Sequence, residues 1–212
     1  MTRILIEPHF LPSIEYFCAL TPATSVEWEV SEHYVKQSYR NRCYINTAQG
    51  IRPLTIPLTQ KHGKVLLREV VIDYSIPWQK QMWRTIESAY RKAPFFEHYS
   101  DDLKEILFNK PVFLIQLTIP LLSFCLRELH FPIITSETVT YRPEAEPGVY
   151  DLRSLISAKK PHSNRLFYQA LPYYQVFGNT FAENMSVIDL LFCQGPQARP
   201  LLKASCHPQV NK

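Results

Sequence analysis

The chain has 212 residues, of which 46% are hydrophobic and 13% aromatic, and its formal net charge at pH 7 is +4. This composition excludes disorder over the whole chain and suffices for one compact domain with its own core. Lysines and arginines are interleaved with acids instead of forming long basic runs, so we do not expect nucleic acid as the partner, whereas an anionic small molecule is compatible with the charge.

The spacing of the cysteines and the length of the apolar runs argue against a metal site and against a membrane-spanning segment. Five cysteines are scattered without the spacing of zinc ligands, so we predict reduced, buried thiols and no metal site. The N-terminus has only a short apolar run before Glu7, which argues against a signal peptide. The longest uncharged run, residues 111–126, is too short and too polar to span a bilayer, so we predict no transmembrane segment and a cytoplasmic location.

The first thirty residues predict a strand, a helix and a second strand. Residues 3–7 form a short apolar run, residues 11–20 carry apolar side chains on one helical face, and residues 25–30 alternate. This order is typical of a βαβ unit, in which the strands are parallel and the crossover is right-handed.

The next segment predicts a hairpin and another strand. Residues 33–42 read as a surface loop or helix, after which strands over 43–47 and 51–59 flank a turn at 48–50. Prolines in the second arm favour an edge strand. Residues 61–64 predict a further turn, and residues 66–73 a strand.

The most regular helical pattern covers residues 78–92. Its apolar side chains recur at steps of three and four, and two of them are tryptophans, so this helix is predicted to lie at the centre of the core. Ser75 is the candidate N-cap, and Pro94 should end the helix near Lys92. The predicted stripe consists of Trp78, Met82, Trp83, Ile86, Ala89 and Tyr90.

The remaining sequence predicts further helices and strands and an irregular C-terminal part. In chain order we predict an aromatic turn at 95–99, helices at 100–108 and 112–130, a strand at 133–141, a loop at 142–148, a short helix at 150–156, a basic loop at 157–165, a strand at 173–177, a helix at 186–192 with a capping-box-like pair of Ser186 and Asp189, and a disordered tail at 203–212. The prediction is a single α/β domain over residues 1–202, with a mixed sheet that starts with the βαβ unit and helices packed around it.

His9 is the first candidate functional residue. It lies after the first predicted strand and before a helix N-terminus, where α/β folds bind ligands and where free N–H groups attract anions. The alternative is a hydrogen-bonded structural histidine. No glycine-rich loop follows the strand, so a dinucleotide fingerprint is absent and the sequence identifies no cofactor.

A second candidate site is the basic and aromatic segment at residues 36–42. Clustered basic and amide side chains can bind a phosphate or carboxylate bidentately, although a solvated loop is the alternative. Asp73, at the end of a predicted strand, is the best candidate for a catalytic or metal-binding acid. The candidate catalytic residues are His9 and Asp73, and the candidate anion-binding residues are Lys36, Ser38, Arg40, Asn41, Arg42, Tyr90 and Lys92.

Four strings along the chain resemble the WbqC-like protein family. They are PHFLPSIEYF at 8–17, SYRNR at 38–42, AYRKAPFF at 89–96 and NMSVIDLLF at 184–192 followed by GP at 195–196, and the last looks like the Bacteroides-type branch of the family. The resemblance implies a link to O-antigen or other surface-polysaccharide gene clusters, and a role in glycine transfer onto sugars has been suggested for the family.

The leading hypothesis is a transferase of cell-surface glycan assembly that moves an activated sugar or an amino-acyl group. In it His9 acts as acid, base or phosphate contact, and the basic residues hold a nucleotide-activated sugar or another phosphate-bearing small molecule. The rival is a non-catalytic protein that binds a partner of the same pathway through exposed aromatics. The rings considered for that surface are Tyr39, Tyr44, Phe95, Phe96, Tyr173 and Tyr174.

Overall fold

The first thirty residues form the predicted βαβ unit. Strand β1 (Arg3–Ile6) and strand β2 (Ser25–Trp28) are parallel, and helix α1 (Ile14–Leu20) connects them. Every residue of α1 is buried. The crossover helix therefore lies inside the domain, covered on all sides by the elements described next. The structure, a computed structural model, describes residues 2–59, 64–158 and 165–207.

The sheet has four strands in the order β5-β2-β1-β6, where β5 is Ile134–Glu137 and β6 is Val149–Asp151. All three pairings are parallel, so the α/β prediction is confirmed while the predicted mixed sheet is a parallel one. The antiparallel ladder occurs in a separate hairpin of β3 (Arg42–Thr47) and β4 (Gly50–Thr55), where it was predicted. The hairpin does not join the sheet, and this separation keeps the sheet parallel.

Three local predictions are wrong. Residues 150–156 were predicted as a helix, but β6 lies there because Tyr150 pairs with Ile4 of β1, a partner far away in sequence. Residues 66–73 form a short 3-10 helix (Leu67–Glu69) and isolated bridges to three different segments, so no continuous strand pairing develops. Residues 173–177 are irregular, because side-chain hydrogen bonds of Gln175 fix the segment.

The helices pack around the sheet in one domain. They are α2 (Trp78–Tyr90), α3 (Phe96–Phe108), α4 (Ile115–Glu128), α5 (Val187–Gln194) and α6 (Ala198–Ala204). The predicted apolar stripe of α2 is buried, which confirms its core position. Among the described residues, no helix is long and apolar enough to cross a membrane.

Helix starts differ from the predicted ones. Helix α2 begins after Pro77, since the carboxylate of Asp73 accepts the N–H of Ser75 at 2.8 Å and forms a turn there. Helix α3 begins at Phe96 instead of Ser100, so the predicted aromatic turn is its first turn. Ser186 donates its hydroxyl to the carbonyl of Leu11 and does not cap α5, so the predicted capping box is wrong.

The C-terminal part is irregular up to α5 and helical afterwards. Lys203, where the disordered tail was predicted to begin, belongs to α6, and Cys206 beyond it is 6% exposed. All five cysteines are free and buried, as predicted. The predicted turn at 61–64, the basic loop at 157–165 and the tail lie partly outside the described residues, which omit 60–63, 159–164 and 208–212.

Candidate functional site

Buried acids follow the two central strands of the sheet. Glu7 comes directly after β1 and Glu29 directly after β2, and each is 1% exposed. The carboxyl ends of parallel strands meet at one edge of a sheet, which is where α/β folds place ligands. The two acids, together with three charged or titratable neighbours of Glu7, make this edge of the sheet the candidate site. We call Glu7, His9, Glu32 and Arg40 the carboxyl-edge cluster.

Short polar contacts join the four members of the cluster. His9 Nε2 lies 3.3 Å from Glu7 Oε1, and Arg40 Nε donates to Glu32 Oε1 at 2.7 Å. Arg40 Nη2 lies 2.5 Å from Glu32 Oε1 and 3.4 Å from Glu7 Oε1, so one guanidinium links both carboxylates. The N–H of Ser154 donates to Glu7 Oε2 at 3.0 Å. The arrangement brings residues of β1, the β2 end and the 38–42 segment into one ionic network.

The contacts determine the protonation of His9. Burial lowers the pKa of His9, against the opposing influence of Glu7, so its imidazole is neutral at pH 7. Burial alone would raise the pKa of Glu7, but the hydrogen bond with His9 and the positive charge of Arg40 lower it, and an ionised carboxylate only accepts. Nε2 must therefore carry the proton. Nδ1 holds a lone pair with no hydrogen-bond partner among the described residues.

Glu32 is the titrating member of the cluster. Burial raises its pKa to about 7, with smaller upward contributions from Glu7 and Glu29, and Arg40 opposes the rise. Its side chain is 10% exposed, compared with 1% for the side chains of Glu7 and His9. A carboxyl group that titrates near neutral pH can give or take a proton during a reaction. Glu32 is thus the more exposed of the two carboxyl groups in the cluster and the one whose pKa lies near neutral pH.

Further glutamate–arginine pairs surround the cluster. Glu29 accepts from Arg153 at 3.1 Å and from the hydroxyl of Thr138 at 2.7 Å. Glu15, in the first turn of α1, accepts from Arg165 at 2.6 Å. Glu29 and Glu15 are thereby each paired with an arginine from a distant part of the chain. Such pairs hold elements together but mainly offset the cost of burying charge.

Aromatic rings and the backbone fix the position of His9. Its ring lies 4.6 Å from the ring of Tyr16 and 5.3 Å from that of Tyr39, between centroids. The hydroxyl of Tyr16 donates to the carbonyl of Glu7 at 2.9 Å. Two residues after His9, the buried Leu11 has φ 40°, a left-handed conformation that is unfavourable for a leucine. Strain of this kind concentrates at functional sites.

The predicted anion clamp at 36–42 does not converge on one point. Arg40 contacts Glu7 and Glu32. By contrast, Ser38 donates to a main-chain carbonyl at 2.6 Å, and Asn41 accepts from a tyrosine hydroxyl and donates to a carbonyl. Lys36 is exposed. Arg42 begins β3 half-buried, and its Nε makes no hydrogen bond to a described residue. Of this set, Arg40 is the member whose side chain belongs to the carboxyl-edge cluster.

The other predicted residues lie in different environments. Asp73 forms the turn before α2 described above. Tyr90 is 1% exposed, and its hydroxyl donates to Asp189 at 2.7 Å, so it belongs to the core and not to a binding surface. Lys92 is exposed and lines a cavity beside α2. The sequence thus combined residues that the fold separates.

The cavities differ in size from one part of the fold to another. A cavity of about 70 Å³ is lined by Glu29 and Thr138 near the carboxyl-edge cluster. Two cavities of about 440 Å³ and 430 Å³ lie instead along the exposed face of α2. Small-molecule sites usually occupy roughly 300–1,000 Å³. The cavity beside Glu29 is smaller than this range, whereas each of the two α2 cavities is large enough for a whole ligand.

The aromatic residues of the rival hypothesis do not form an exposed surface. Tyr39 and Phe96 are buried, while Tyr44, Phe95 and Tyr173 are half-buried. Tyr174 is the exposed one among the six, at 62%. Interaction sites need a contiguous exposed patch. The five buried or half-buried rings pack in or against the core, so the six rings do not form such a patch.

Sequence reasoning missed the acidic members of the site. Glu7 was read as the end of a strand, and Glu29 and Glu32 were not considered as a pair. Their position was the available signal, since acids directly after two successive apolar strands of a βαβ unit must meet at one sheet edge. Which arginines reach them depends on tertiary structure.

Comparisons with known proteins match most of the chain to one protein family. The model of the WbqC-like protein family matches residues 7–160, a range that contains the whole carboxyl-edge cluster. The chain is 30% identical over 105 residues to Uncharacterized protein Rv1507c of Mycobacterium tuberculosis. The matched region covers 48% of this chain and 44% of that protein. The chain thus spans less than half the length of this curated relative. No solved structure matches the chain.

Proposed function

The chain belongs to the WbqC-like protein family, and from this premise we propose that it is a transferase of cell-surface glycan assembly. The transferred group is an activated sugar or an amino-acyl group, in line with what the family resemblance implies. The observation that carries the proposal is the carboxyl-edge cluster, where a carboxyl group with a pKa of about 7 lies at the ligand-binding edge of a parallel sheet.

The chemistry of group transfer matches the groups in the cluster. The acceptor hydroxyl or amine forms a bond to the transferred group while the bond to the leaving group breaks, and the acceptor must lose a proton. Glu32, once ionised, takes that proton as a general base, and its protonated form can return it to the leaving group. The free lone pair on His9 Nδ1 is a second proton acceptor in the same cluster.

Arg40 and Glu7 position the reacting groups. Arg40 binds Glu32 through Nε and neutralises charge that develops beside it. Glu7 accepts the Nε2–H of His9 and thereby keeps Nδ1 unprotonated. Both act through a neighbour, so we class them as positioning residues. Their effect should appear in the pH dependence of the rate as well as in its size.

A ligand screen followed by a substitution tests the proposal. Nucleotides, nucleotide sugars and aminoacyl-adenylate analogues are screened by thermal shift, and a ligand at a hundredfold excess over its Kd should stabilise the protein by about 2.7 kcal/mol. With the donor so identified, Glu32→Gln should lower turnover by about 10²–10⁴-fold. Glu105→Gln, on the exposed face of α3, is the matched control and should retain activity. Unchanged turnover in Glu32→Gln contradicts the proposal.

The pH dependence of stability gives a readout that needs no substrate. The pKa of Glu32 is raised from 4.5 to about 7 in the folded protein, so the folded state binds more protons than the unfolded state between these values. Stability should therefore fall as pH rises from about 4.5 to 7, by up to about 3 kcal/mol from this group. In Glu32→Gln this contribution to the pH dependence disappears. A pH profile of unfolding that is identical in both proteins refutes the assignment.

A further inference from the structure

A groove runs along the exposed face of α2. Its two cavities, of about 440 Å³ and 430 Å³, share Arg84, Ser88 and Ala89 as lining residues and therefore adjoin. The β3–β4 hairpin borders one end through residues 47–54, and residues 176–177 border the other. We call this feature the α2 groove. Its total size is within the range of small-molecule sites.

The charge of the α2 groove is strongly positive. Arg52 from β4 and Arg84, Arg91 and Lys92 from α2 and its end line it, together with one acid, Glu87. None of the four cations makes an ion pair or hydrogen bond to a residue that the structure describes.

Four arginines elsewhere in the fold are paired with carboxylates. Arg40, Arg153 and Arg165 are each held by a carboxylate, and the exposed Arg127 is paired as well. Cations left unpaired along a single groove create an electrostatic field that concentrates anions.

We propose that the α2 groove binds the diphosphate of a nucleoside diphosphate or of a molecule built on one. Guanidinium groups bind phosphate oxygens bidentately, and a lysine adds a point charge. Arg84 and Arg91 are seven residues apart, which places their Cα atoms about 10 Å apart along the helix axis. Cations spread over that length suit two phosphoryl groups better than one.

The rest of the lining fits the nucleoside part. Gln49 and Ser88 offer polar side chains, and no hydrogen bond to another described side chain engages their amide and hydroxyl. Phe177, half-buried at the far end, presents part of a ring to the groove. A planar base can stack on such a ring, and ribose hydroxyls can bond to the polar side chains. Ala89 forms a small, buried floor that leaves room for the ligand.

A small ligand fits better than a nucleic acid. Strong binding of nucleic acid relies on a long series of phosphate contacts, whereas this groove has four cations. Glu87 lies between Arg84 and Arg91 on the helix and would repel a continuous polyanion. The diphosphate-bearing small molecule is therefore the ligand that the groove favours.

The α2 groove is separate from the carboxyl-edge cluster. Strand β3 begins at Arg42, next to the cluster's Arg40 segment, and ends at Thr47, which lines the groove. Five steps along a strand span about 16 Å. Binding in the groove can thus be measured whether or not the cluster catalyses a reaction, and a failure of one proposal leaves the other standing.

Calorimetric titration of the full chain with uridine diphosphate tests the inference. We expect saturable binding that the double variant Arg84→Gln/Arg91→Gln weakens by tenfold or more, because two exposed guanidinium contacts are lost. Lys92→Gln should weaken binding by about threefold. Lys80→Gln removes the same charge from the same helix outside the groove and should bind like the wild type. Circular dichroism confirms that these exposed substitutions leave the fold intact.

Three competing probes separate the ligand sources. Uridine diphosphate should bind at least tenfold more tightly than inorganic diphosphate and than uridine monophosphate. Equal affinity for inorganic diphosphate overturns the nucleoside part of the inference, and equal affinity for the monophosphate overturns the diphosphate part. A single-stranded oligonucleotide that binds more tightly than uridine diphosphate overturns the choice of a small ligand. Absence of binding, or an equal loss in Lys80→Gln, overturns the site itself.

Discussion

Replacing Tyr90 by phenylalanine should destabilise the protein without affecting ligand binding. The Tyr90 hydroxyl donates to Asp189 Oδ2 at 2.7 Å and accepts the N–H of Asn46 at 3.3 Å. Tyr173 and Gln175 donate to the other oxygen of the same carboxylate, at 2.6 Å and 2.9 Å. Asp189 is 0% exposed, so water cannot replace a lost donor. The tyrosine thus joins α2, β3 and α5 through one buried carboxylate.

The magnitude follows from the two bonds that are lost. A hydrogen bond contributes about 0.5–1.5 kcal/mol between neutral groups and about 1.5–3 kcal/mol to a charged group, and a buried N–H left without its acceptor adds a further cost. We therefore expect Tyr90→Phe to lower the free energy of unfolding by about 2–3 kcal/mol at pH 7. Tyr173→Phe removes one bond to the same carboxylate from a half-buried side chain, and should cost about 1–2 kcal/mol.

Urea unfolding of both variants and the wild type at two pH values tests this reasoning. Burial raises the pKa of Asp189 above its ordinary value, which means that the ionised carboxylate destabilises the folded state. The free energy of unfolding should therefore rise as the pH falls through the pKa of the folded state and Asp189 becomes protonated. Below that pKa the bond from Tyr90 joins two neutral groups, and the loss should shrink towards about 1 kcal/mol. A loss below about 0.5 kcal/mol at neutral pH refutes the argument. Weakened ligand binding at unchanged stability would instead support the original interpretation of Tyr90 as a binding residue.

Two further pairs of substitutions test packing and charge by urea unfolding. Gly195→Ala places a Cβ against the ring of Phe95 and strains a backbone at φ +51°, so it should lower the free energy of unfolding by more than about 2 kcal/mol. Gly148→Ala, at φ +81° with nothing within 4 Å of the new Cβ, should lower it by about 1 kcal/mol. Arg165→Gln breaks a buried ion pair and should lower the free energy of unfolding by about 3 kcal/mol or more. Arg127→Gln breaks an exposed ion pair and should lower it by less than about 1 kcal/mol. Equal losses within either pair contradict the explanation given for that pair.

The elements that sequence reasoning located have strong local patterns. The unit β1-α1-β2 combines short apolar strands with an amphipathic turn of helix, and the stripe of α2 repeats over three turns. Such patterns report burial of one face and need no knowledge of the partner. Strand β6 carries no such pattern, because three residues cannot show a period and its pairing with β1 depends on distant sequence. Residues 66–73 have a strand-like sequence, but their three isolated bridges go to three different segments of the chain.

The candidate site was predicted in part for the same reason. His9 and Arg40 were identified from residue type and position, and they do contact a common carboxylate, Glu7. The partner acids were missed because their role depends on which strand ends share an edge. Lys92 and Arg42 were assigned to one anion clamp because the sequence gives no distance between them. In the fold, Arg42 is at the start of β3, whereas Lys92 lines a cavity beside α2.

The strand order has a consequence for how the chain folds during synthesis. Strands β1 and β2 are the inner pair, yet their outer neighbours β6 and β5 begin at Val149 and Ile134, more than a hundred residues later. At roughly 5–20 residues per second, the ribosome delivers β6 about seven to thirty seconds after β1. During that interval both edges of a nascent two-stranded sheet are open to pairing with other chains. Helix α1 and the acids after the strands are synthesised before β5 and β6, so the inner half of the sheet waits for the later strands before it is complete.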